Sequence, residues 1–159
     1  MSSIFAQEKY IVPELSSNQK HVRVLSETYA QMAAGITFAK EQGVEPYDYG
    51  IFVGSIFAAY WSPEIGFEDF VNSLIRTWES LRTKQGAGLN ITEASENTVL
   101  MEFPKNEIAK FLGKENPIAT IEEFVEYFKG MLKPITAKLK TSATIDLTDT
   151  SISFTFEKK

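Results

Sequence analysis

Residues 135–156 read ITAKLKTSATIDLTDTSISFTF. From Ile135 to Leu147 the odd positions are Ile, Ala, Leu, Thr, Ala, Ile and Leu, and the even positions between them are Thr, Lys, Lys, Ser, Thr and Asp. A period of two is that of a strand with one face buried and the other in water. Thr148-Asp149-Thr150 supplies a turn, and Ile152, Phe154 and Phe156 then alternate again. The pattern predicts an antiparallel hairpin, Ile135–Leu147 against Ser151–Glu157, with Leu139, Ile145, Phe154 and Phe156 inside.

Working outward, a second hairpin precedes it. Leu89 and Ile91 alternate with Asn90 and Thr92, Ser95-Glu96-Asn97 reads as a turn, and Val99, Met101 and Phe103 alternate in turn. Between the hairpins, Pro104 opens a short helix with Ile108, Phe111 and Leu112, closed by Gly113. Thr120-Ile121-Glu122-Glu123 then forms a capping box. The helix it starts presents Phe124, Tyr127, Phe128, Met131 and Leu132, and Pro134 is expected to end it.

Three helices are expected before the first hairpin. One starts near Ser17 or Asn18, carries Val22, Leu25, Tyr29, Met32, Ala33 and Ile36, and stops at Gly43. Phe38 lies nearly opposite that stripe and needs a second layer or a partner to cover it. The second starts at Pro46 with Asp48 in its first turn. It is apolar nearly all round as far as Trp61, so it is expected to be largely buried. The third starts near Phe67, has the stripe Phe70, Val71, Leu74, Ile75, Trp78 and Leu81, and is broken by Gly86-Ala87-Gly88. The order is ααα-ββ-αα-ββ. That is an α+β fold, with helices on one face of a four-stranded antiparallel sheet. Residues 1–16 read as an N-terminal arm and 17–159 as a single domain.

Composition narrows the function classes. The charge of −5 and the absence of a basic stripe argue against nucleic acid as a partner. No run of about 18 apolar residues suggests a membrane helix. There are no cysteines and one histidine, His21, so thiolate chemistry is excluded and neither a metal nor a cofactor is expected. The start MSSIFAQEKYIVPEL lacks the basic and long apolar regions of a leader, which places the chain in the cytoplasm. No Ser-His-Asp arrangement is readable, and Glu122, Glu123 and Glu126 sit where a helix start favours negative charge anyway. Catalytic residues are therefore not assigned.

The candidate site lies in Tyr47–Arg82. Nine of the chain's 12 Phe, 6 Tyr and 2 Trp fall in this stretch. Gly50, Gly54 and Ala58 put small residues on one face of the second helix. Such a face serves a close helix crossing, the favoured reading, or a floor that lets a ligand reach the backbone. Phe57, Tyr60, Trp61 and Trp78 are amphipathic or apolar rings that either pack a core or line a pocket. The expected pocket lies between the second helix, the third helix and the sheet, with Trp78 buried against the second helix. Arg82, one turn beyond Trp78, would clamp a carboxylate or phosphate at its rim, although an arginine stem lying along a core edge is the commoner use.

The order of elements resembles the ligand-binding fold of haem-nitric-oxide-binding and vinyl-reductase domains. The likeness rests above all on GMLKPITAKLKTSATIDLTDTSISFTF, residues 130–156, as helix end plus hairpin. It implies a small molecule held between helices and sheet. The C-terminal cysteines of vinyl-reductase domains are absent. So are the mid-chain helix histidine and the Tyr-x-Ser-x-Arg motif of the haem binders. A non-haem ligand role is what carries over. The favoured expectation is a small-molecule-binding or sensory domain with an apolar pocket, taking a lipophilic or acidic molecule. The alternatives are a homodimeric interaction or scaffold protein without a ligand, and an enzyme on a small anionic substrate.

Overall fold

A computed structural model describes residues 15–80, 89–109, 112 and 118–159. The expected Gly86-Ala87-Gly88 break, most of the N-terminal arm, Phe111 and Gly113 lie outside those residues. Helix α1 spans Ser17–Glu41, α2 Pro46–Ala58 and α3 Phe67–Ser80. Strands β1 (Asn90–Ala94) and β2 (Thr98–Pro104) follow, then α4 (Lys105–Ala109), α5 (Ile121–Lys138), β3 (Thr141–Leu147) and β4 (Ser151–Lys158). The architecture is α+β in the order ααα-ββ-αα-ββ.

The sheet is antiparallel with strand order β1-β2-β4-β3, so the two hairpins join through β2 and β4. Met101 and Ile145 flank Phe154 on either side, and Val99 and Ala143 flank Phe156. These residues, with Ile152 and Phe103, make the inner face; Phe156 and Met101 are fully buried there. β1 is an exposed edge strand with a register irregularity between Ile91 and Glu93. A kinked, solvated edge resists pairing with further strands.

Helices α3 and α5 rest on the inner face. The ring of Trp78 lies 4.4 Å from Phe154 and 5.3 Å from Phe103. Phe128 of α5 meets Phe154 at 6.3 Å, and Phe70 of α3 meets Phe156 at 5.8 Å. Trp78 is thus buried chiefly against the sheet, not against α2 as its place in the sequence suggested.

α2 lies along α5, in the same direction, with almost nothing between the two backbones. A Cβ on Gly50 would run into the carbonyl oxygen of Tyr127, one on Gly54 into that of Met131, and one on Gly130 into that of Tyr47. Only glycine permits this approach. Lys138 extends the contact by donating from Nζ to the Ala58 carbonyl at 2.8 Å, at the negative end of α2. α1 packs over both helices. Tyr29 meets Phe124 at 6.0 Å, and Thr37 Oγ1 donates to the Ile118 carbonyl at 2.7 Å. Lys40 also pairs with Glu123.

Three local expectations change. α1 is capped by Ser16, one residue before the expected start, in a reciprocal box with Gln19. α5 does not end at Pro134 but continues to Lys138, and β3 begins only at Thr141. Ile135 and Leu139 are four apart as well as two pairs apart, so they satisfy a helical period as readily as a strand period. Continuing the helix buries Ile135 and Thr136, whose hydroxyl donates to the Leu132 carbonyl at 2.9 Å. Finally, α2 is not largely buried. Its glycine face is, but Phe52 is 64% exposed and Ile56 50%.

Candidate functional site

An aromatic cleft of about 710 Å³ opens between the helices. Met32 of α1 and Phe57 of α2 form one side, continued by Tyr60 and Trp61 in the turn after α2. Ser73, Leu74, Thr77 and Trp78 of α3 form the opposite side. Phe128, Met131, Leu132 and Ile135 of α5 form the floor. Phe57, Tyr60, Trp61 and Trp78 therefore share one cleft, while Arg82 lies outside the described residues. The expected position shifts in one respect. The sheet contributes no lining residue among those described; it stands one layer back, behind Trp78 and Phe128.

The local sequence explains the shape. The glycine face of α2 is spent on α5, so it does not thin the cleft wall; it fixes how near α2 stands to the floor. The chain leaves α2 at Ala59 and Tyr60 in a tight turn, with Tyr60 N–H donating to the Phe57 carbonyl at 3.0 Å. Ser62-Pro63 then prevents the helix from continuing. Trp61 is turned inward, its ring 5.1 Å from Phe70 in an edge-to-face contact. Tyr60 is 83% exposed and stands at the rim, whereas Trp78, Leu74, Leu132 and Ile135 are buried at the base.

Among the described residues the lining contains no charged side chain. Its polar atoms are the hydroxyls of Tyr60, Ser73 and Thr77 and the two indole N–H groups. Thr77 Oγ1 donates to the Ser73 carbonyl at 3.0 Å, so that hydroxyl already has a partner. Two flexible thioethers, Met32 and Met131, can adapt to different occupants. The α5 contribution was visible in the sequence as the stripe Phe128, Met131 and Leu132, but it read as ordinary core. Met32, Ser73, Thr77 and Ile135 carried no signal that separates a cleft from a core.

The titratable groups with displaced values lie away from the cleft. Burial, with the neighbouring Tyr49 phenol, pushes Tyr127 up to about 12. Burial raises Glu123, but hydrogen bonds from Lys40 and the Thr120 N–H, with the Lys40 charge, outweigh it and leave the carboxyl below its ordinary value. The hydrogen bond with Tyr47 holds Lys133 above the usual lysine value. A second hollow, about 590 Å³, runs beside β3 and is lined by Lys129, Lys133, Thr136 and Thr141. Its groups are engaged within the chain: Lys129 with Glu126 at 2.8 Å, and Lys133 over the Tyr47 ring. Among the described residues, no group of three or more His, Asp or Glu is placed to hold a metal ion, and no helix is long and apolar enough to cross a membrane. No family model, curated protein or solved structure matches the chain.

Proposed function

We propose that this chain is a small-molecule-binding domain whose ligand is uncharged, flat and largely apolar. The observation that carries the reading is the aromatic cleft with no charged lining residue among those described. Rings and thioethers supply contact area, and a few hydroxyl and indole tips orient the occupant. A carboxylate among the described lining residues would meet only hydroxyl and indole donors, with no cation to offset its lost hydration. The acidic-ligand expectation rested on Arg82, and no described residue takes over its role. The resemblance to haem-nitric-oxide-binding and vinyl-reductase domains implies a ligand between helices and sheet, whereas this cleft lies among the helices, so the reading rests on the cleft itself.

The test uses two matched probes, neutral 1-naphthol and anionic 1-naphthoate, followed by tryptophan fluorescence and thermal shift. Naphthol should bind and raise the melting temperature, and naphthoate should bind at least about 10-fold more weakly. Thr77→Trp, an exposed position whose side chain reaches the cleft, should fill the mouth and abolish binding without loss of fold. Absence of naphthol binding, or binding unchanged in Thr77→Trp, would defeat the proposal.

A further inference from the structure

The outer face of α2 is as unusual as its glycine face. Phe52, Ile56 and Tyr60 recur at four-residue spacing on the side opposite Gly50 and Gly54, and they are 64%, 50% and 83% exposed. Phe57, 45% exposed, joins this stripe to the rim of the cleft. From Tyr49 to Pro63 there is no charged residue. Isolated exposed rings need no explanation, but a contiguous apolar stripe marks a contact surface.

We propose that this face is the surface through which two copies of the chain pair, α2 against α2 across a two-fold axis. Three observations select a second copy as the occupant. The stripe is self-complementary, since exposed Ser55 and Ala59 leave gaps between Phe52, Ile56 and Tyr60 that the same large side chains of another copy can enter. It carries no charge that a two-fold axis would set against itself. At roughly 200 Å² for a large side chain, complete covering of Phe52, Ile56, Tyr60 and Phe57 would bury about 500 Å² per copy. That gives about 1,000 Å² in a pair, the lower bound of a specific interface. A chain with a net charge of −5 and an uncharged stripe also lacks the basic face with which amphipathic helices hold anionic lipid surfaces. The glycine crossing with α5 makes the face rigid before it meets a partner, which lowers the entropic cost of pairing. Pairing would bring the second copy to the cleft rim at Phe57 and Tyr60, but the proposal stands whether or not the cleft takes a ligand.

Sedimentation velocity from about 1 to 300 µM should show a monomer–dimer equilibrium. Phe52→Glu should weaken it by about 100-fold or more, because the two-fold places the new charges together in a desolvated contact. Its circular dichroism should stay native, because Phe52 is exposed in the monomer. The chain has no cysteine, so single cysteines report proximity cleanly. Ser55→Cys should form a cross-linked dimer on mild oxidation, while Asp149→Cys, in the β3–β4 turn, should not. A protein monomeric at 300 µM, a dimer untouched by Phe52→Glu, or equal cross-linking at both positions would overturn the assignment. So would a monomer that floats with phosphatidylcholine vesicles, which would give the face to a membrane. These outcomes are read without the naphthol probe, so either proposal can fail alone.

Discussion

Replacing Gly130 by alanine adds one methyl group where, among the described glycines, the neighbouring backbone stands nearest. The new Cβ would overlap the Tyr47 carbonyl oxygen and lie 2.9 Å from the Ile51 amide nitrogen and from the Tyr47 carbonyl carbon. Both residues are backbone of α2, so no side chain can swing aside; the helix must retreat as a unit. Overpacking of this kind costs about 1–3 kcal/mol, and backbone obstruction belongs at the upper end. A gap of about 0.5–1 Å along the contact also forfeits a quarter to a half of each atom pair's dispersion energy. Against this, alanine in a helix interior returns up to about 1 kcal/mol relative to glycine. The balance is a loss of about 2 kcal/mol, or a melting temperature lower by about 4–8 °C for a chain of this length. Urea unfolding followed by far-ultraviolet circular dichroism measures it. Gly66→Ala is the control, since its nearest neighbour is an Asp69 carboxylate oxygen at 3.9 Å, and it should cost nothing by crowding. A Gly130→Ala protein as stable as the parent would refute the close crossing.

Three further outcomes follow from the same packing. Trp78→Ala removes the ring that touches Phe103, Phe154 and Phe156 and should cost ~3–5 kcal/mol in denaturant melts. Glu123→Gln keeps the capping box, as Gln19 does in α1, and should cost about 0.5 kcal/mol near neutral pH through the lost charge beside Lys40 and at the helix start. Because the folded carboxyl lies below its ordinary value of 4.5, that advantage is present above this pH and fades as pH falls, so the parent and variant melting curves should converge in acid. Tyr127 ionises near 12 in the fold, above the ordinary value of 10.0, so stability should fall as pH rises through that window. Tyr127→Phe should flatten the fall and remove a step near pH 12 from an ultraviolet titration.

Much of the fold was legible because it rests on strong local periods and caps. Phe154 and Phe156 alternate without interruption, and a shift of one residue would turn both rings to water. Thr120 and Glu123 mark a helix start that the structure repeats bond for bond, at 2.9 and 3.2 Å. Where the pattern misled, two periods coincided or a burial rule was one-sided. Ile135 and Leu139 fit both a strand and a helix, and packing chose the helix. α2 is apolar all round, yet only its glycine side is enclosed, because composition says that a face can be buried and not that it is. Gly130 had no local signature at all, since its role appears only when a second helix lies against it. The cleft was half legible. Four rings that line it stood close in sequence, but Met32 and the α5 floor came from segments that read as core.

The crossing and the cleft are one mechanical object. Met131 belongs to both: its backbone carbonyl abuts Gly54, and its side chain forms part of the cleft floor. α5 therefore carries the glycine contact on one face and the cleft base on the next, and α2 carries the rim residue Phe57. The distance between the two backbones sets how far Phe57 stands from Phe128 and Ile135. Close-packed interiors pass such displacements on instead of absorbing them. The absence of side chains at Gly50, Gly54 and Gly130 thus does more than allow the helices to touch. It sets the spacing of the two cleft walls through the backbone, the preformed geometry that the proposed binding role would require.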